Sequence, residues 1–369
     1  ADFHEHATAY LMAGLFELHD RARFDIHALS FGPDLKGAMR GRLTPCFSSF
    51  TDVRRLQDRD VAKLLREKEI DIAVDLKGYT QDARPGIFAH RGAPLQVSYL
   101  GFPGTMGADF IDYIVADARI VPPGAERFYS EKVARLPDCY QVNDRKRAIA
   151  AHVPSRAELG LPETGFVFCS FNNSFKIAPD IFDVWMRLLK RVDGSVLWLM
   201  EDNAEASANL RREAERRGVP QNRLVFAPRL DLPEHLARHR RADLFLDTFP
   251  YTAHTTASDA LWAGLPLVTC MGETFSSRVA GSLLHAAGLP ELVTHGFDGY
   301  EALAFKLATE PGALALVGDK LARNRDSCAL FDTDRFRRHI EAAYIAMHER
   351  HLRGLAPEGF DVPPLGRSD

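Results

Sequence analysis

Short apolar runs alternate with longer amphipathic stretches along most of this chain, the pattern of buried parallel strands joined by crossover helices. In the first half the runs fall at residues 24–30, 70–76, 95–100 and 113–116, with a helix expected over 52–68. In the second half they fall at 166–171, 196–200, 224–227, 244–247 and 267–270, separated by helical stretches such as 205–218 and 234–241. Between the two sets, residues 145–161 are polar and alanine-rich and lead into Gly160-Leu161-Pro162, which suits a crossing between lobes. The expected architecture is therefore α/β, with two doubly wound, Rossmann-like lobes at 1–150 and 151–369 and a cleft between them. From Gly299 onward the periodicity is helical and ends in a long amphipathic helix near 334–352. This boundary counts these helices with the second lobe, although the apolar stripe of the last one also suits packing back on the first.

Composition narrows the picture. A chain of 369 residues exceeds what one hydrophobic core usually organises, in keeping with two lobes. Hydrophobic residues at 46% and charged residues at 26% leave little room for extensive disorder. A formal charge of −4 gives no global attraction for nucleic acid or an anionic membrane, so any polyanion must be held by a local cluster of donors. The five cysteines are scattered and never in a CxxC spacing, which argues for reduced, buried thiols rather than a disulfide framework or structural zinc. No stretch approaches the roughly 20 apolar residues of a membrane span, and no signal-peptide pattern opens the chain, so a cytoplasmic protein is expected. Ala1-Asp2-Phe3-His4-Glu5-His6 reads as a loop running into a helix, which points to missing upstream structure.

Three segments carry candidate chemistry. The first runs from Leu244 through Asp247, Pro250 and His254-Thr255-Thr256 to Asp259 and Gly264. It reads as a buried strand, a loop and a helix start, where Thr255 or Thr256 would cap the helix and its N–H groups and dipole would point out of the carboxyl edge of the sheet. Such an end binds phosphate; His254 and the two hydroxyls add donors, and Asp259 one turn on would accept from a ribose hydroxyl. The plain alternative is an ordinary capped helix. The second segment, Phe171-Asn172-Asn173-Ser174-Phe175-Lys176, sets an amide and a cation after the first strand of the same lobe, where α/β sheets bind ligands; its alternative is a solvated lysine. The third, Tyr99 to Gly107 with Pro103-Gly104-Thr105, is a glycine-rich loop whose backbone would approach a sugar or phosphate, or else a tight turn without a ligand. Neither GxGxxG nor GxxxxGK[ST] nor GxSxG occurs. Asp58-Arg59-Asp60 and Asp332-Thr333-Asp334 fall in helical contexts, and His235 and His239 lack the glutamate of HExxH, so no metal is expected.

Taken together, these segments resemble the catalytic region of the protein O-linked N-acetylglucosamine transferases, glycosyltransferase family 41, with its bacterial members and SPINDLY-type relatives. The resemblance covers nearly the whole chain. It rests on Asp2-Phe3 with His6, Lys77-Gly78-Tyr79-Thr80, Leu100 to Thr105, Tyr129-Ser130-Glu131-Lys132, Phe171-Asn172-Asn173 with Lys176-Ile177, Pro220 to Arg223, His254-Thr255-Thr256, and Gly272-Glu273-Thr274 with Ser277-Arg278-Val279. It implies a GT-B fold and inverting, metal-independent transfer of N-acetylglucosamine from UDP-GlcNAc to serine or threonine hydroxyls of proteins, with no cofactor. By the same resemblance Lys176 and Asn173 hold the leaving diphosphate with the His254-Thr255-Thr256 helix start. His235 packs on the uracil, Leu230 and Arg238 read its edge, and Asp259 accepts from the ribose. Pro103-Gly104-Thr105 faces the sugar, and His6 lies near it as general base or as a donor-orienting residue. Tetratricopeptide repeats that bind acceptor proteins, and the first strand of the first lobe, are expected outside this chain.

The pattern departs from the animal enzymes at Asn173, Phe175 and Leu232, where they carry a glutamine, another aromatic ring and a lysine; Leu232 puts one ribose contact in doubt. Two other functions stay open at this point. Arg135 to Cys139 and Leu246 to Tyr251 resemble the SPINDLY branch, which implies GDP-fucose as donor. A degenerate transferase lobe serving as a non-catalytic scaffold is the reading from a different class.

Overall fold

The computed structural model describes residues 1–33 and 35–365. The chain divides into two compact units, Ala1–Lys146 with Ala329–Asp369, and Arg147–Cys328. The expected break in the connector is close to this division, but residues 329–365 are not part of the second unit. They belong to the first, where the sequence reading had counted them with the second.

In the first unit, strands β1 (His27–Ser30) and β2 (Ser49–Asp52) form a parallel pair. Strands β3 (Ile72–Asp75), β4 (Leu95–Ser98), β5 (Tyr113–Asp117) and β6 (Lys132–Leu136) form a parallel sheet in that order, and the two-residue strand Phe360–Asp361 adds to the free edge of β6. β4 and β5 are buried at every position, as expected of strands covered on both faces. A cavity of about 790 Å³ is lined by residues of both β1 and β3, among them Ala28, Leu29, Ile72 and Ala73. The stretch expected to be helical over 52–68 opens instead on β2, and its helix is confined to Asp58–Glu67. β2 escapes a period-two reading because none of its residues is buried.

The long helix Thr333–Leu352 completes this unit. It buries Phe336, Ile340, Ala343 and Met347, a spacing of three and four that keeps one stripe inward. Asp332 caps it by accepting from the Arg335 N–H. Its buried Glu341 accepts from His19 Nδ1 at 2.9 Å, from the Asp20 N–H at 2.9 Å and from Arg337 at 2.7 Å, which ties the helix to the end of helix Ala7–Leu18.

The second unit holds one six-stranded parallel sheet: β7 (Val167–Ser170), β8 (Val196–Met200), β9 (Leu224–Ala227), β10 (Leu244–Leu246), β11 (Leu267–Cys270) and β12 (Val293–Thr294), in the order β12-β11-β10-β7-β8-β9. The chain winds outward from β7 to β9, then returns to lay β10 on the other side of β7. This reversal opens a crevice at the carboxyl ends of β7 and β10, the place where doubly wound sheets take ligands. The five cysteines of the chain form no disulfide; Cys46, Cys139, Cys169 and Cys270 are buried and Cys328 is half-buried.

Removing one side of a buried, fully partnered charge leaves the other side unpaired. Glu341→Ala therefore destabilises the protein by about 3–5 kcal/mol, measured by chemical denaturation. A change within error would mean that the His19, Asp20 and Arg337 contacts do not hold the C-terminal helix.

Candidate functional site

The switch point of the second unit gathers side chains from three segments. After β7 the chain passes Phe171 and the buried Asn172, then makes a single turn over Ser174–Lys176. After β10 comes Asp247, fully buried, and a loop through Tyr251 and Thr252 to His254. Helix Thr255–Ala263 follows.

Asp247 is held from all sides. Its Oδ1 accepts from the N–H groups of Thr248 (2.8 Å) and Ala253 (2.6 Å) and from Asn172 Nδ2 (3.3 Å), and its Oδ2 accepts from the Thr269 hydroxyl on β11 (2.6 Å). Asn172 Nδ2 also donates to Thr248 Oγ1 at 2.9 Å, and Asn172 Oδ1 accepts from the Thr256 hydroxyl. One amide thus joins the β7 loop, the β10 loop and the first turn of the helix. The expected threonine cap does not form: the capping residue is His254, which makes no side-chain capping bond, and Thr256 turns to Asn172 instead. The helix start takes no capping bond from the His254 side chain, which leaves its first N–H groups available to an anion.

Lys176 Nζ donates to the Thr252 carbonyl at 3.0 Å and sits 4.0 Å from the centre of the Tyr251 ring. Burial lowers its pKa to about 8, against the pull of the Asp247 charge. Burial pushes Asp247 the other way, to about 6, opposed by the Thr269, Ala253 and Thr248 donors and by Lys176. The His254 ring stacks on Tyr251 with centres 4.9 Å apart, and its Nε2 faces the Ser276 carbonyl at 3.3 Å. Burial, then the Lys176 charge, holds it well below the ordinary imidazole range. The imidazole is therefore neutral beside the ammonium.

The remaining expected contacts of this unit are placed differently. Asn173 is exposed, and its Oδ1 lies 3.5 Å from Arg229. Leu230 is 44% exposed, free to meet a flat ring. His235 is buried against Phe171, ring centres 5.3 Å apart, with Nδ1 facing the Arg238 guanidinium. Arg238 is itself fully buried, donating to the Pro228 carbonyl and lying 4.7 Å over Phe171, while its Nε has no partner among the described residues. Asp259 is buried and paired with Arg147, and burial, against the Arg147 charge, raises it to about 6.

In the first unit, His6 caps helix Ala7–Leu18: its Nδ1 accepts from the Thr8 N–H at 3.2 Å and lies 3.6 Å from Asp2. Asp2 pairs with the buried Lys77 at 3.0 Å. With the Nδ1 lone pair used by the cap, the neutral ring carries its proton on Nε2 and presents a donor there. Burial lowers the His6 pKa, which favours that neutral form. Pro103, Gly104 and Thr105 lie in a loop pinned from below: the Thr105 hydroxyl donates to Glu131 Oε2 at 2.6 Å and accepts from the Gly107 N–H at 3.0 Å, and the Met106 N–H also bonds Glu131. Gly101, two residues before this loop, cannot carry a side chain because a Cβ would sit 2.1 Å from the Leu76 carbonyl oxygen.

Sequence reasoning found Lys176 and the His254 helix start, but assigned no role to Asn172, Asp247, Tyr251 or Thr252. Asn172 and Asp247 stood in the quoted segments as the residues just after β7 and β10. Adjacent strand ends carrying polar side chains were the available signal, and only the strand order makes them neighbours.

Two parallel α/β units, the second carrying a cation, a buried amide and a helix start at its switch point, are of the GT-B glycosyltransferase class, as the solved structures they match show. Sucrose-phosphate synthase from Thermosynechococcus elongatus shares this fold at 13% identity, with a TM-score of 0.52 over 92% of this chain and 91% of that one. The sequence profile of glycosyl transferase family 41 matches residues 1–154 and 149–340, and the chain belongs to this family. It is 37% identical over 368 residues, 98% of its length, to the probable UDP-N-acetylglucosamine–peptide N-acetylglucosaminyltransferase SEC of Arabidopsis thaliana, and spans 38% of that protein. To the probable enzyme of the same activity named SPINDLY in Petunia hybrida it is 30% identical over 380 residues, all of this chain and 39% of that one. A mutant of the O-GlcNAc transferase from Thermobaculum terrenum superposes with a TM-score of 0.87 at 31% identity, over 96% of this chain and 67% of that one. The chain thus spans about two fifths of the length of these curated relatives.

The burial of His235, His239 and His254 predicts that none of their rings protonates between about pH 5 and 8, since each is held below the ordinary imidazole range. Histidine ring signals followed by NMR check this. A ring among the three that titrates near neutrality would contradict the packing described here.

Proposed function

We propose that these residues form the catalytic part of an inverting, metal-independent transferase that moves N-acetylglucosamine from UDP-GlcNAc to serine or threonine hydroxyls of proteins. The observation that carries this reading is the switch point of the second unit, where an ammonium is bonded to the loop that leads into a helix start without a side-chain cap. The diphosphate sits at that mouth, with Lys176, Asn173 and the Thr255–Thr256 N–H groups as donors. Leu230 and His235 flank the uracil. Asp259 as ribose acceptor competes with Arg147 for the same carboxylate.

In this reading an acceptor hydroxyl attacks the anomeric carbon from the face opposite UDP, the bond from that carbon to the diphosphate oxygen breaks, and the hydroxyl proton leaves to water. Charge grows on the leaving diphosphate, and fixed donors at Lys176 and the helix mouth stabilise it more in the transition state than in the ground state. His6 acts through its Nε2 hydrogen, as a donor that orients reactants; accepting the hydroxyl proton on Nδ1 would require breaking the helix cap. The Pro103-Gly104-Thr105 backbone faces the sugar, held in shape by Glu131. The reading carries with it acceptor-protein binding by tetratricopeptide repeats outside these residues, and a cytoplasmic location. No helix among the described residues is long and apolar enough to cross a membrane.

Calorimetry with UDP and GDP, followed by a donor screen of UDP-GlcNAc against GDP-fucose with a protein acceptor, tests the assignment; preference for the guanine pair would transfer it to the fucosyl branch. Lys176→Ala lowers turnover about 100-fold or more, and retention of most activity would remove the lysine from the mechanism. His6→Ala lowers kcat much more than it weakens UDP binding. Because UDP favours the charged lysine, whose pKa is lowered to about 8, the lysine costs UDP no affinity just below that pH. Above it, affinity falls about tenfold per unit.

A further inference from the structure

The peptide unit between Thr252 and Ala253 faces opposite charges at its two ends. Its N–H, that of Ala253, donates to Asp247 Oδ1 at 2.6 Å, and its C=O, that of Thr252, accepts from Lys176 Nζ at 3.0 Å. Carboxylate, amide and ammonium therefore form one hydrogen-bonded line in which each member polarises the next. Among the described residues no cation reaches the Asp247 carboxylate directly; the amide is its link to Lys176. Three of the four groups that bond this carboxylate are N–H donors, which suit the ionised form and offer a protonated carboxyl nothing to donate to.

The other titratable groups facing the line bring no competing charge. From the loop, Tyr251 is raised by burial and His254 is lowered by burial and by Lys176, so both are neutral. From β11, Cys270 is raised by burial and by Asp247, against the Thr294 contact. From helix Phe297–Thr309, Tyr300 is buried and raised, and its hydroxyl donates to the Asp247 carbonyl at 3.0 Å while accepting from Trp185 Nε1 at 3.2 Å. Among the described residues Asp247 is thus the negative charge that faces Lys176.

We propose that Asp247 is a positioning residue for Lys176: through the Thr252–Ala253 peptide, its buried charge holds the ammonium protonated and aimed at the helix mouth. The inference rests on the diphosphate reading for its use in catalysis, but not for its physics. A lysine buried over a tyrosine ring without a counter-charge sheds its proton toward neutrality. The relayed carboxylate opposes this without itself taking a donor of the ammonium.

The test reads Lys176 ionisation in nucleotide-free protein, from the pH dependence of its acetylation by acetic anhydride, quantified by peptide mass spectrometry against the exposed Lys63. In Asp247→Asn the half-maximal pH falls by about one unit or more. UDP affinity falls about tenfold at pH 8 and recovers toward wild type as the pH is lowered. A purely structural role would weaken UDP equally at every pH and leave the acetylation profile in place, and either result overturns the inference. The reciprocal variant Lys176→Met, at a half-buried position, guards against misfolding of the first: linkage requires it to raise the Asp247 pKa by the same amount, read from the carboxyl carbon by NMR. An unmoved Asp247 signal also overturns the inference. Failure of wild-type protein to bind UDP, with both shifts present, would sink the functional reading and leave the relay standing.

Discussion

A carboxylate with no access to water must find its donors within the protein, and Asp247 finds them on every segment that meets at the switch point of the second unit. Thr248 and Ala253 close the loop around it, Asn172 comes from the β7 side and Thr269 from β11. The shape of the loop after β10 is in this sense the solvation shell of one buried charge. The helix mouth and the ammonium are oriented by that shell. Asn172 passes the constraint on to Thr256, and the Thr252 carbonyl passes it on to Lys176.

The buried strands of both units were legible in the sequence because a strand covered on both faces is a continuous apolar run, as at Val167–Ser170, Val196–Met200 and Leu244–Leu246. β2, β6 and β12 were not. β2 has no buried residue, β6 begins with an exposed lysine, and β12 is two residues long. The C-terminal helix was legible as a helix but not as a member of the first unit, because an amphipathic stripe states that a face is covered without stating by what. The contacts of Glu341 with His19 and Asp20, more than three hundred residues away in the chain, have no local signature.

The candidate site was legible where chemistry is local. Lys176 and the His254 helix start could be named because both follow apolar runs that end in polar residues. The threonine cap was the wrong detail: hydroxyls at Thr255 and Thr256 fit a capping pattern, yet the demand of Asn172 for a donor draws Thr256 away. Arg238 and Asp259 also have partners that only the folded chain supplies, the Pro228 carbonyl and Arg147. Recognition of the family carried the functional reading; strand order supplied the physics beneath it, by making Asn172 and Asp247 neighbours.

The second unit is continuous in sequence, whereas the first is assembled from residues on both sides of it. During synthesis the interior stretch emerges whole before the closing helix exists, so it can bury its sheet first. The earlier stretch must wait, its Tyr99 lacking the stacked ring of Phe336 and its His19 lacking Glu341 until the closing helix arrives. Loss of a few dozen residues from the end of this chain would therefore injure its beginning, and leave the middle intact.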